Sequence, residues 1–302
     1  MPTKLRPVSG PVLITGADGF VGGHLLTELG GDAVAGSADV LDGDAFAAEL
    51  RDVRPAAVIH LAALSSVGTS WEGVAEVWRT NVIGTVQVLE AVRAEAPEAR
   101  VIVASSGEVY GRAETVPTPE DAPVAPISPY AASKAAAELA AWQAAARGTD
   151  VFVVRPFPQV GPGQDERFAI GSWTRQIARL ESEGGGALLV GDLSGERDLT
   201  DVRDGVRAYR LLLEADAEPG TYNLASGRAV RMEDVLDRLV ELSAVPIEIE
   251  QEEARLRPAE IPSLVGDPSK LRAATGWEPE IALEQTLAEA LEAARQIEVG
   301  VS

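Results

Sequence analysis

A tyrosine and a lysine four residues apart are the side chains of this sequence best suited to acid–base chemistry. Tyr130 and Lys134 lie in the stretch SPYAASKAAAEL, where Ser128 and Pro129 predict the start of a helix. Residues four apart share one face of a helix. The ammonium would therefore lower the pKa of the phenol and make it a proton donor and acceptor. A surface tyrosine and lysine that are neighbours without a function is the alternative interpretation.

A second polar cluster follows an apolar run. The stretch RVIVASSGEVYG carries Ser105, Ser106 and Glu108 directly after a predicted strand. In doubly wound sheets, ligands bind at the carboxyl ends of the strands, where a helix can begin opposite such hydroxyls. Ser106 would donate a hydrogen bond to a substrate oxygen, Tyr130 would transfer its proton, and Lys134 would hold the cofactor ribose. This set predicts hydride transfer between a nicotinamide and an alcohol or ketone carbon.

A glycine loop, ITGADGFVGGHL, stands between a predicted strand and a predicted helix. Gly16, Gly19 and Gly22 allow, in turn, a tight turn, the approach of backbone to a pyrophosphate and close packing of the helix on the strand. We predict that the loop, with Phe20 and Val21, binds a dinucleotide whose phosphates lie at the helix N-terminus. An ordinary strand-to-helix turn is the alternative, and the order of strand, loop and helix favours the dinucleotide.

The choice between NAD and NADP is normally visible at the end of the second strand, which carries an acidic residue for NAD and accommodates a basic one for NADP. The second predicted strand, near Ala33–Ser37, ends in Gly36 and Ser37, and neither charge is present. Asp39 and its neighbour Val40 are better placed for the adenine than for the ribose. The sequence leaves the cofactor open between NAD and NADP.

These residues need a scaffold that brings strand ends and helix starts together. Short runs that are apolar on both faces predict buried parallel strands at Pro11–Gly16, Ala56–Ala62, Arg100–Ser106 and Asp150–Pro156. Helices are predicted between and after them at Val21–Leu29, Ala45–Arg51, Val74–Glu95 and Tyr130–Arg147. The alternation predicts an α/β protein with a Rossmann-type doubly wound parallel sheet.

The pattern of predicted elements changes after Arg155, where the Gly- and Pro-rich loop FPQVGPGQ is followed by shorter helices and strands. We predict an NAD(P)-binding Rossmann domain in residues 1–156 and a smaller, interleaved substrate lobe in residues 157–302. Segments at about residues 187–226 would return to the Rossmann sheet.

Composition excludes several classes of function. The 302 residues include 26 basic and 47 acidic ones, a net charge of −21, which argues against nucleic acid and anionic membrane as partners. Cysteine is absent and histidine occurs twice, which excludes thiolate nucleophiles and Cys- or multi-His metal sites; no metal is predicted. One of the histidines, His60, ends a buried strand, which favours a packing role. The stretch MPTKLRPVSG lacks the apolar region of a secretory signal, and we expect a soluble cytoplasmic protein.

Further stretches extend these motifs along most of the chain: IHLAALSSV, NVIGT, SSGEVYG, VGPGQ, RDLTDVRDGVRAY, YNLASG and RLRPAEIPSLVGDPSKLRAATGWEP. With TGADGFVGGHL and SPYAASKAAAE, they resemble the extended short-chain dehydrogenase/reductases that act on nucleotide sugars. SSGEVYG, LSSV and the tail from RLRP are most similar to the GDP-4-keto-6-deoxy-D-mannose reductases of that family. The resemblance implies that NAD or NADP is the cofactor, with its reduced form as the hydride donor. It also implies that the substrate is a nucleotide-diphosphate sugar.

The resemblance also implies roles for residues at matching positions. Leu61, Ala62 and Ala63 would pass beneath the cofactor pyrophosphate and ribose. Pro156 would contact the nicotinamide side, and Asn81 would orient backbone and water near the active site. The long helices around residues 74–95 and 130–147 would form a four-helix bundle in a homodimer.

On the substrate side, the resemblance implies contacts by Ser66, Ser106, Glu108, Phe157, Gln159, Arg175, Arg197 and Arg257. Ser66 and Glu108 would border the sugar, and Glu108 would also join Ser106, Tyr130 and Lys134 in the catalytic set. Arg197 and Arg257 would pair with the diphosphate, and Arg175 is a secondary candidate. The guanidinium fork matches phosphate geometry, and it supplies the local positive charge that so acidic a protein needs.

One position departs from the family pattern. Pro158 stands where the family usually has an asparagine that touches the sugar or its phosphate. Proline has neither a side-chain donor nor a backbone N–H, and Gln159 would compensate only in part. The sequence therefore leaves the sugar and the nucleotide base open.

Three activities use the same catalytic residues. Reduction of a 4-keto sugar is the leading hypothesis, and a 4-epimerase, which would keep its NAD and return the hydride to the opposite face, is the second. A 4,6-dehydratase is the third: Glu108 matches the glutamate of that group, but Gly107 stands where that glutamate usually has an aspartate or a serine as its neighbour. A non-enzymatic NAD(P)-binding sensor is the fourth class, and such proteins typically lack the tyrosine or the lysine.

Overall fold

The computed structural model describes residues 10–255 and 261–301. The N-terminal half forms β1 (Val12–Thr15), α1 (Phe20–Leu29), β2 (Ala33–Ala35), α2 (Gly43–Val53), β3 (Ala57–His60), α3 (Val67–Ser70), α4 (Val74–Trp78), α5 (Gly84–Glu95), β4 (Arg100–Ala104), α6 (Pro129–Ala146) and β5 (Val151–Pro156). The C-terminal half forms β6 (Gln159–Val160), α7 (Ala169–Glu183), β7 (Gly186–Val190), β8 (Glu196–Arg197), β9 (Thr200–Asp201), α8 (Val202–Glu214), β10 (Thr221–Leu224), β11 (Val230–Arg231), α9 (Met232–Glu241), β12 (Ile247–Gln251), β13 (Ser263–Leu264), α10 (Ser269–Thr275) and α11 (Leu283–Val301).

Six parallel strands form the large sheet in the order β10-β5-β4-β3-β1-β2. The chain leaves β1 for β2 on one side and continues through β3, β4 and β5 on the other, so the strand order reverses at β1. Ligands bind beyond the carboxyl ends of the strands at such a reversal. The predicted Rossmann-type sheet is confirmed, and its reversal point lies at the end of β1, where the glycine loop begins.

Two apolar layers cover the sheet. On one face, α1 and α8 pack with α10 around Leu25, Tyr209 and Trp277. On the other face, α2, α5 and α6 pack around Phe46 and Val88. Because both faces are covered, the strands β1, β3 and β4 are buried along nearly their whole length, as their sequences predicted. Burial of each large apolar side chain contributes about 1.5–3 kcal/mol to folding.

The smaller lobe packs α7, α9 and α11 around Trp173, Leu236 and Leu291. It contains the parallel pair β7–β12 and the three-stranded sheet β11-β8-β13. Of the segments predicted to return to the large sheet, β10 pairs with β5, and α8 packs on α1. Strand β7 differs, because it pairs with β12 inside the smaller lobe.

Helix boundaries follow the predicted signals closely. The Ser128 side chain accepts a hydrogen bond of 3.1 Å from the Ala131 amide and caps α6, which begins at Pro129. The single helix predicted over Val74–Glu95 is instead α4 and α5 joined by a π-helical segment, Arg79–Ile83. Within the described residues, no helix combines the length and the apolar character needed to cross a membrane.

Candidate active site

The glycine loop between β1 and α1 is shaped to approach a ligand closely. Gly16 has a φ of +69°, and a Cβ there would lie 2.8 Å from the Ala62 backbone nitrogen. A Cβ on Gly22 would overlap the Gly16 carbonyl oxygen. The helix begins at Phe20, and the residue at its N-cap is Gly19, so no side-chain oxygen covers the first amides. The loop therefore fits a pyrophosphate bound by the first turn of α1.

A cleft of about 530 Å³ opens at the carboxyl ends of the strands, between the glycine loop and the smaller lobe. The predicted cofactor-binding residues that line it are Gly16, Gly19, Phe20, Val21, Gly22, Leu61, Ala62, Ala63, Tyr130, Lys134 and Pro156. The predicted substrate-binding residues that line it are Ser66, Ser106, Glu108, Phe157, Gln159 and Arg197. The fold thus brings most of both predicted sets to one cavity of the size that small-molecule ligands occupy.

Three predicted catalytic side chains meet in this cleft because β4 ends where α6 begins. The Ser106 hydroxyl accepts a hydrogen bond of 3.1 Å from the Glu108 amide and is hydrogen-bonded to the Tyr130 hydroxyl. Lys134, one turn after Tyr130, donates from Nζ to the Ala104 carbonyl oxygen at 2.7 Å. The two hydroxyls are therefore paired, and the ammonium is fixed at the end of β4.

Burial controls the protonation of this group. It raises the pKa of Tyr130 to about 12, while the hydrogen bond from Ser106 lowers the value and the Glu108 carboxylate raises it. The prediction that Lys134 lowers the pKa of this tyrosine is therefore wrong for the protein alone, since burial has the larger effect. Burial also lowers the pKa of Lys134 to about 8, and the Glu138 carboxylate opposes that shift. At neutral pH, Tyr130 is a protonated phenol and Lys134 is an ammonium close to its titration range.

The lowered pKa of Lys134 predicts a pH dependence of folding stability. Between about pH 8 and 10.5, the unfolded chain keeps a lysine proton that the folded protein has lost. Stability rises with pH where the unfolded state binds more protons. The free energy of unfolding of the wild type, relative to Lys134→Met, should therefore rise by about 1–2 kcal/mol from pH 8 to 9.5. Urea unfolding at each pH measures it, and a pH-independent difference would contradict the shift.

A buried charged network, which no sequence motif indicated, lies behind the catalytic group. Arg155 donates from Nε and Nη2 to the Glu138 carboxylate at 2.8 and 2.6 Å, and the Ser105 hydroxyl donates to the same carboxylate. The Arg155 guanidinium lies 4.7 Å from the centre of the Tyr110 ring and donates to its hydroxyl at 2.8 Å. Tyr110 in turn donates to the Asn223 side chain at 2.7 Å.

This network joins the elements that carry the catalytic residues. Glu138 lies one turn after Lys134 on α6, Arg155 lies near the end of β5, and Ser105 precedes Ser106. The spacing of four residues from Tyr130 to Lys134 and again to Glu138 was the available sequence signal. Its significance depends on Arg155 facing Glu138, which only the tertiary structure places.

Some predicted cofactor residues do not line the cleft. Asn81 is buried behind the loop that follows β3, where Oδ1 accepts from the Leu64 amide at 2.8 Å and Nδ2 donates to the Ser133 hydroxyl at 2.9 Å. It therefore holds backbone near the site. Asp39 accepts from the Leu41 amide at 2.9 Å in the loop after β2. Val40 is buried against Gly84, where a Cβ would come within 2.9 Å of its side chain.

The three arginines predicted to contact the substrate differ in where they lie. Arg197 lines the cleft, and its Nη1 donates to the Ile261 carbonyl oxygen at 2.9 Å. Arg175 lies outside the cleft, because it faces α11 and pairs with Glu298 at 3.3 Å. This placement corrects its prediction as a substrate contact. Arg257 lies outside the described residues.

The loop after β5 presents fewer polar groups to the cleft than predicted. Phe157 is buried and stacks on Tyr110, with ring centres 6.3 Å apart. The Gln159 side chain lies against Gly205, and its Nε2 has no hydrogen-bond partner among the described residues. Gln159 lines the cleft, but its amide is directed toward α8, which weakens the prediction that it replaces the missing asparagine.

The cleft also contains residues that the sequence analysis did not select, including Gln164, Arg167, Phe168, Tyr209 and Met232. Tyr209 reaches the cleft from α8, and burial, together with the negative charge that Tyr130 carries when ionised, raises the pKa of its phenol. Arg167 pairs with Asp165 at 2.8 Å at the rim. Tyr209 lies at an apolar position of an amphipathic helix. This pattern predicts core packing and does not indicate that the residue lines the cleft.

His60 stays neutral and connects two elements. Its Nδ1 and Nε2 hydrogen-bond with the hydroxyls of Thr15 and Thr85 at 2.7 and 3.0 Å. Burial and, to a smaller extent, the Lys134 charge lower its pKa to about 3. The predicted packing role fits these contacts, because the ring ties the end of β1 to α5.

Known proteins share this architecture across both lobes. The sequence profile of the GDP-mannose 4,6-dehydratase family matches residues 28–290. The GDP-6-deoxy-D-mannose reductase of Pseudomonas aeruginosa is 36% identical over 287 residues, which cover 91% of this chain and 94% of that protein. The structure of RMD from Pseudomonas aeruginosa, complexed with NADPH, matches with a TM-score of 0.85 and 35% identity over 96% of this chain and 100% of that one. MoeE5, in complex with UDP-glucose and NAD, matches with a TM-score of 0.85 and 32% identity over 96% of this chain and 100% of that one.

Proposed function

Because the chain belongs to the GDP-mannose 4,6-dehydratase family, we propose that it reduces the C4 ketone of a nucleotide-linked 4-keto-6-deoxyhexose with NADH or NADPH. The observation that carries this proposal is the hydrogen-bonded pair of Ser106 and Tyr130 in the cleft, with Lys134 one turn away. Similarity to a GDP-6-deoxy-D-mannose reductase over most of both chains supports the GDP-linked sugar as the substrate.

Different residues of the cleft would bind the cofactor and the substrate. The glycine loop, Leu61–Ala63 and Pro156 would hold the dinucleotide, and Ser66, Glu108 and Arg197 would border the nucleotide sugar. A reduced nicotinamide, when bound there, supplies the hydride.

The hydroxyls of Ser106 and Tyr130 act on the ketone oxygen of the sugar, where negative charge develops. Ser106 donates a hydrogen bond to the ketone oxygen, and Tyr130 gives that oxygen its proton as C4 becomes tetrahedral. The raised pKa of Tyr130, about 12, keeps the phenol protonated at neutral pH, which is the form that a reductase requires of its acid. The Lys134 ammonium, one turn along α6, stabilises the phenolate that remains.

A 4,6-dehydratase is less consistent with the site. That reaction needs an acid–base pair beside the serine, and the position between Ser106 and Glu108 is Gly107. A Cβ on Gly107 would lie 3.0 Å from the Phe157 ring, so an acidic side chain has no space there without movement of the ring. A 4-epimerase uses the same catalytic group and remains the alternative that experiment must separate.

The test is incubation of the protein with GDP- or dTDP-linked 4-keto-6-deoxyhexose and either reduced cofactor, followed by the absorbance of the reduced nicotinamide. We expect stoichiometric oxidation with the GDP-linked sugar. An epimerase would instead retain NAD through purification and change the sugar without net consumption of cofactor. Absence of any turnover with either sugar nucleotide would contradict the proposal.

We also propose that two copies associate through α4, α5 and α6. Trp78, Ile83 and Val86 are exposed on the first two of these helices with the π-helical segment between them, and Leu139 is 71% exposed on α6, which packs beside α5. Such a row of exposed apolar side chains supports a helical interface between two copies. We further propose that the Rossmann domain ends at residue 156. We also propose that the protein is cytoplasmic, because nucleotide sugars and reduced cofactors are available there.

Leu139→Glu should convert the dimer to a monomer. A charge within an apolar helical interface leaves an unpaired buried group and costs several kcal/mol of association. Light scattering after size-exclusion chromatography measures the mass. Val299→Glu, at a position 77% exposed on α11, is the matched control and should leave the mass unchanged. A monomeric wild type, or a dimer that survives Leu139→Glu, would overturn the proposed interface.

A further inference from the structure

The end of β2 contains a small anion-binding arrangement that is filled by a side chain of the protein itself. The Ser37 amide and hydroxyl donate to Glu49 Oε1 at 2.7 and 2.9 Å, and the Ala38 amide approaches Oε2 at 3.4 Å. Glu49 comes from the second turn of α2, and side chains on a helix lean toward its N-terminus. This lean brings the carboxylate up to the carboxyl end of the sheet.

The position of this arrangement matters for cofactor choice. Strand β2 pairs with β1, and the Gly36 amide extends the pairing to the Ile14 carbonyl oxygen at 2.8 Å. Residues 36 and 37 follow the first glycine of the loop by about 20 positions, which is where dinucleotide-binding folds meet the adenosine ribose. An acid there accepts from the ribose 2′-hydroxyl of NAD, and a basic group accommodates the 2′-phosphate of NADP.

The charges around Ser37 and Glu49 favour NAD over NADP. Residues 33–50 include four acidic residues, Asp39, Asp42, Asp44 and Glu49, and no lysine or arginine. Among the described residues, Glu49 forms no ion pair. A 2′-phosphate at this strand end would therefore meet a carboxylate that already uses the three nearest donors. It would also meet the negative field of the loop.

We propose that Glu49 selects NADH over NADPH by supplying, from α2, the acid that the end of β2 lacks. This inference rests on the proposed function, because it assumes that the cleft binds a nicotinamide dinucleotide. It also separates this chain from its structural relative RMD, which was solved with NADPH. The sequence could not reveal it, because the deciding carboxylate lies on the following helix and not on the strand.

Direct binding tests the inference without the sugar. The dissociation constants of NADH and NADPH are measured by isothermal titration calorimetry on the full chain at low and physiological salt. The wild type should bind NADH at least about tenfold more tightly, a difference of about 1.4 kcal/mol, which is the order of the repulsion between like charges a few ångströms apart. The difference should shrink as salt increases.

Glu49→Gln keeps the shape of the side chain and removes its charge. We expect NADPH to bind about tenfold more tightly to this variant, while NADH changes little. Asp52→Asn is the matched control, because it removes the same charge from the same helix one turn farther from the strand end, and it should leave both constants unchanged.

The outcomes separate the two proposals. Equal affinity of the wild type for both cofactors, or a Glu49→Gln variant with an unchanged ratio, would overturn the role of Glu49. A variant that weakens both cofactors equally would show that Glu49 only supports the loop, and would overturn the role as well. Failure of the wild type to bind either cofactor would instead contradict the proposed function.

Discussion

Tyr130→Phe is expected to lower kcat/KM for the 4-keto sugar about 10²–10⁴-fold, the usual contribution of a positioned general acid. The phenol is the group that gives its proton to the forming alcohol, and its pKa of about 12 ensures that the proton is present at neutral pH. The variant keeps the aromatic ring in the wall of the cleft, so binding of the reduced cofactor should change little. Steady-state kinetics and calorimetry measure the two effects separately.

A matched variant controls for loss of a tyrosine hydroxyl as such. Tyr222 is buried on β10, does not line the cleft, and donates to the Glu218 carbonyl oxygen at 2.6 Å. Tyr222→Phe should reduce stability by the value of a single hydrogen bond, about 1 kcal/mol, and leave kcat/KM unchanged. Turnover by Tyr130→Phe at the wild-type rate would show that another group donates the proton.

Arg155→Met is expected to lower the free energy of unfolding by about 3–5 kcal/mol, because it leaves the Glu138 carboxylate buried without the cation that is hydrogen-bonded to it. Both side chains of this pair are buried, and Arg155 also carries the hydrogen bond to Tyr110. Removal of one partner of a buried pair costs far more than the pair contributes, since a desolvated charge remains. Urea unfolding measures the loss.

Two further variants test this explanation. Arg93→Met removes an exposed partner of Glu90, where the side chains are 2.8 Å apart, and should cost at most about 1 kcal/mol. Arg155→Met combined with Glu138→Leu removes both buried charges and should be more stable than Arg155→Met alone. A single variant as mild as Arg93→Met, or a double variant less stable than the single one, would contradict the assigned cost of the unpaired carboxylate.

The parts of the fold that local signals specify were predictable from sequence. Continuous apolar runs identified β1, β3, β4 and β5, and Ser128 with Pro129 identified the start of α6. The spacing of Tyr130 and Lys134 and the glycine loop identified the cleft, because each motif lies at a strand end or helix start that the sheet brings together. The fold therefore follows from periodicity and caps, which are properties of neighbouring residues.

The remaining features depend on residues that are distant in sequence. The pairing of Glu138 with Arg155, and the reach of Glu49 to Ser37, follow from how helices pack on the sheet. The pKa of Tyr130 was predicted in the wrong direction, because spacing reveals the nearby lysine and does not reveal the extent of burial. Arg175 was placed at the substrate for a similar reason, since its partner Glu298 lies on α11.

Deuterium transfer tests the central claim, hydride delivery to C4 of the sugar, most directly. The protein is incubated with GDP-4-keto-6-deoxymannose and NADH that is dideuterated at C4 of the nicotinamide, and the product is examined by NMR and mass spectrometry. We predict deuterium at C4 of the 6-deoxyhexose and an equal amount of oxidised cofactor. Deuterium that remains in the cofactor, or that is recovered at C6 of the sugar, would contradict the reductase.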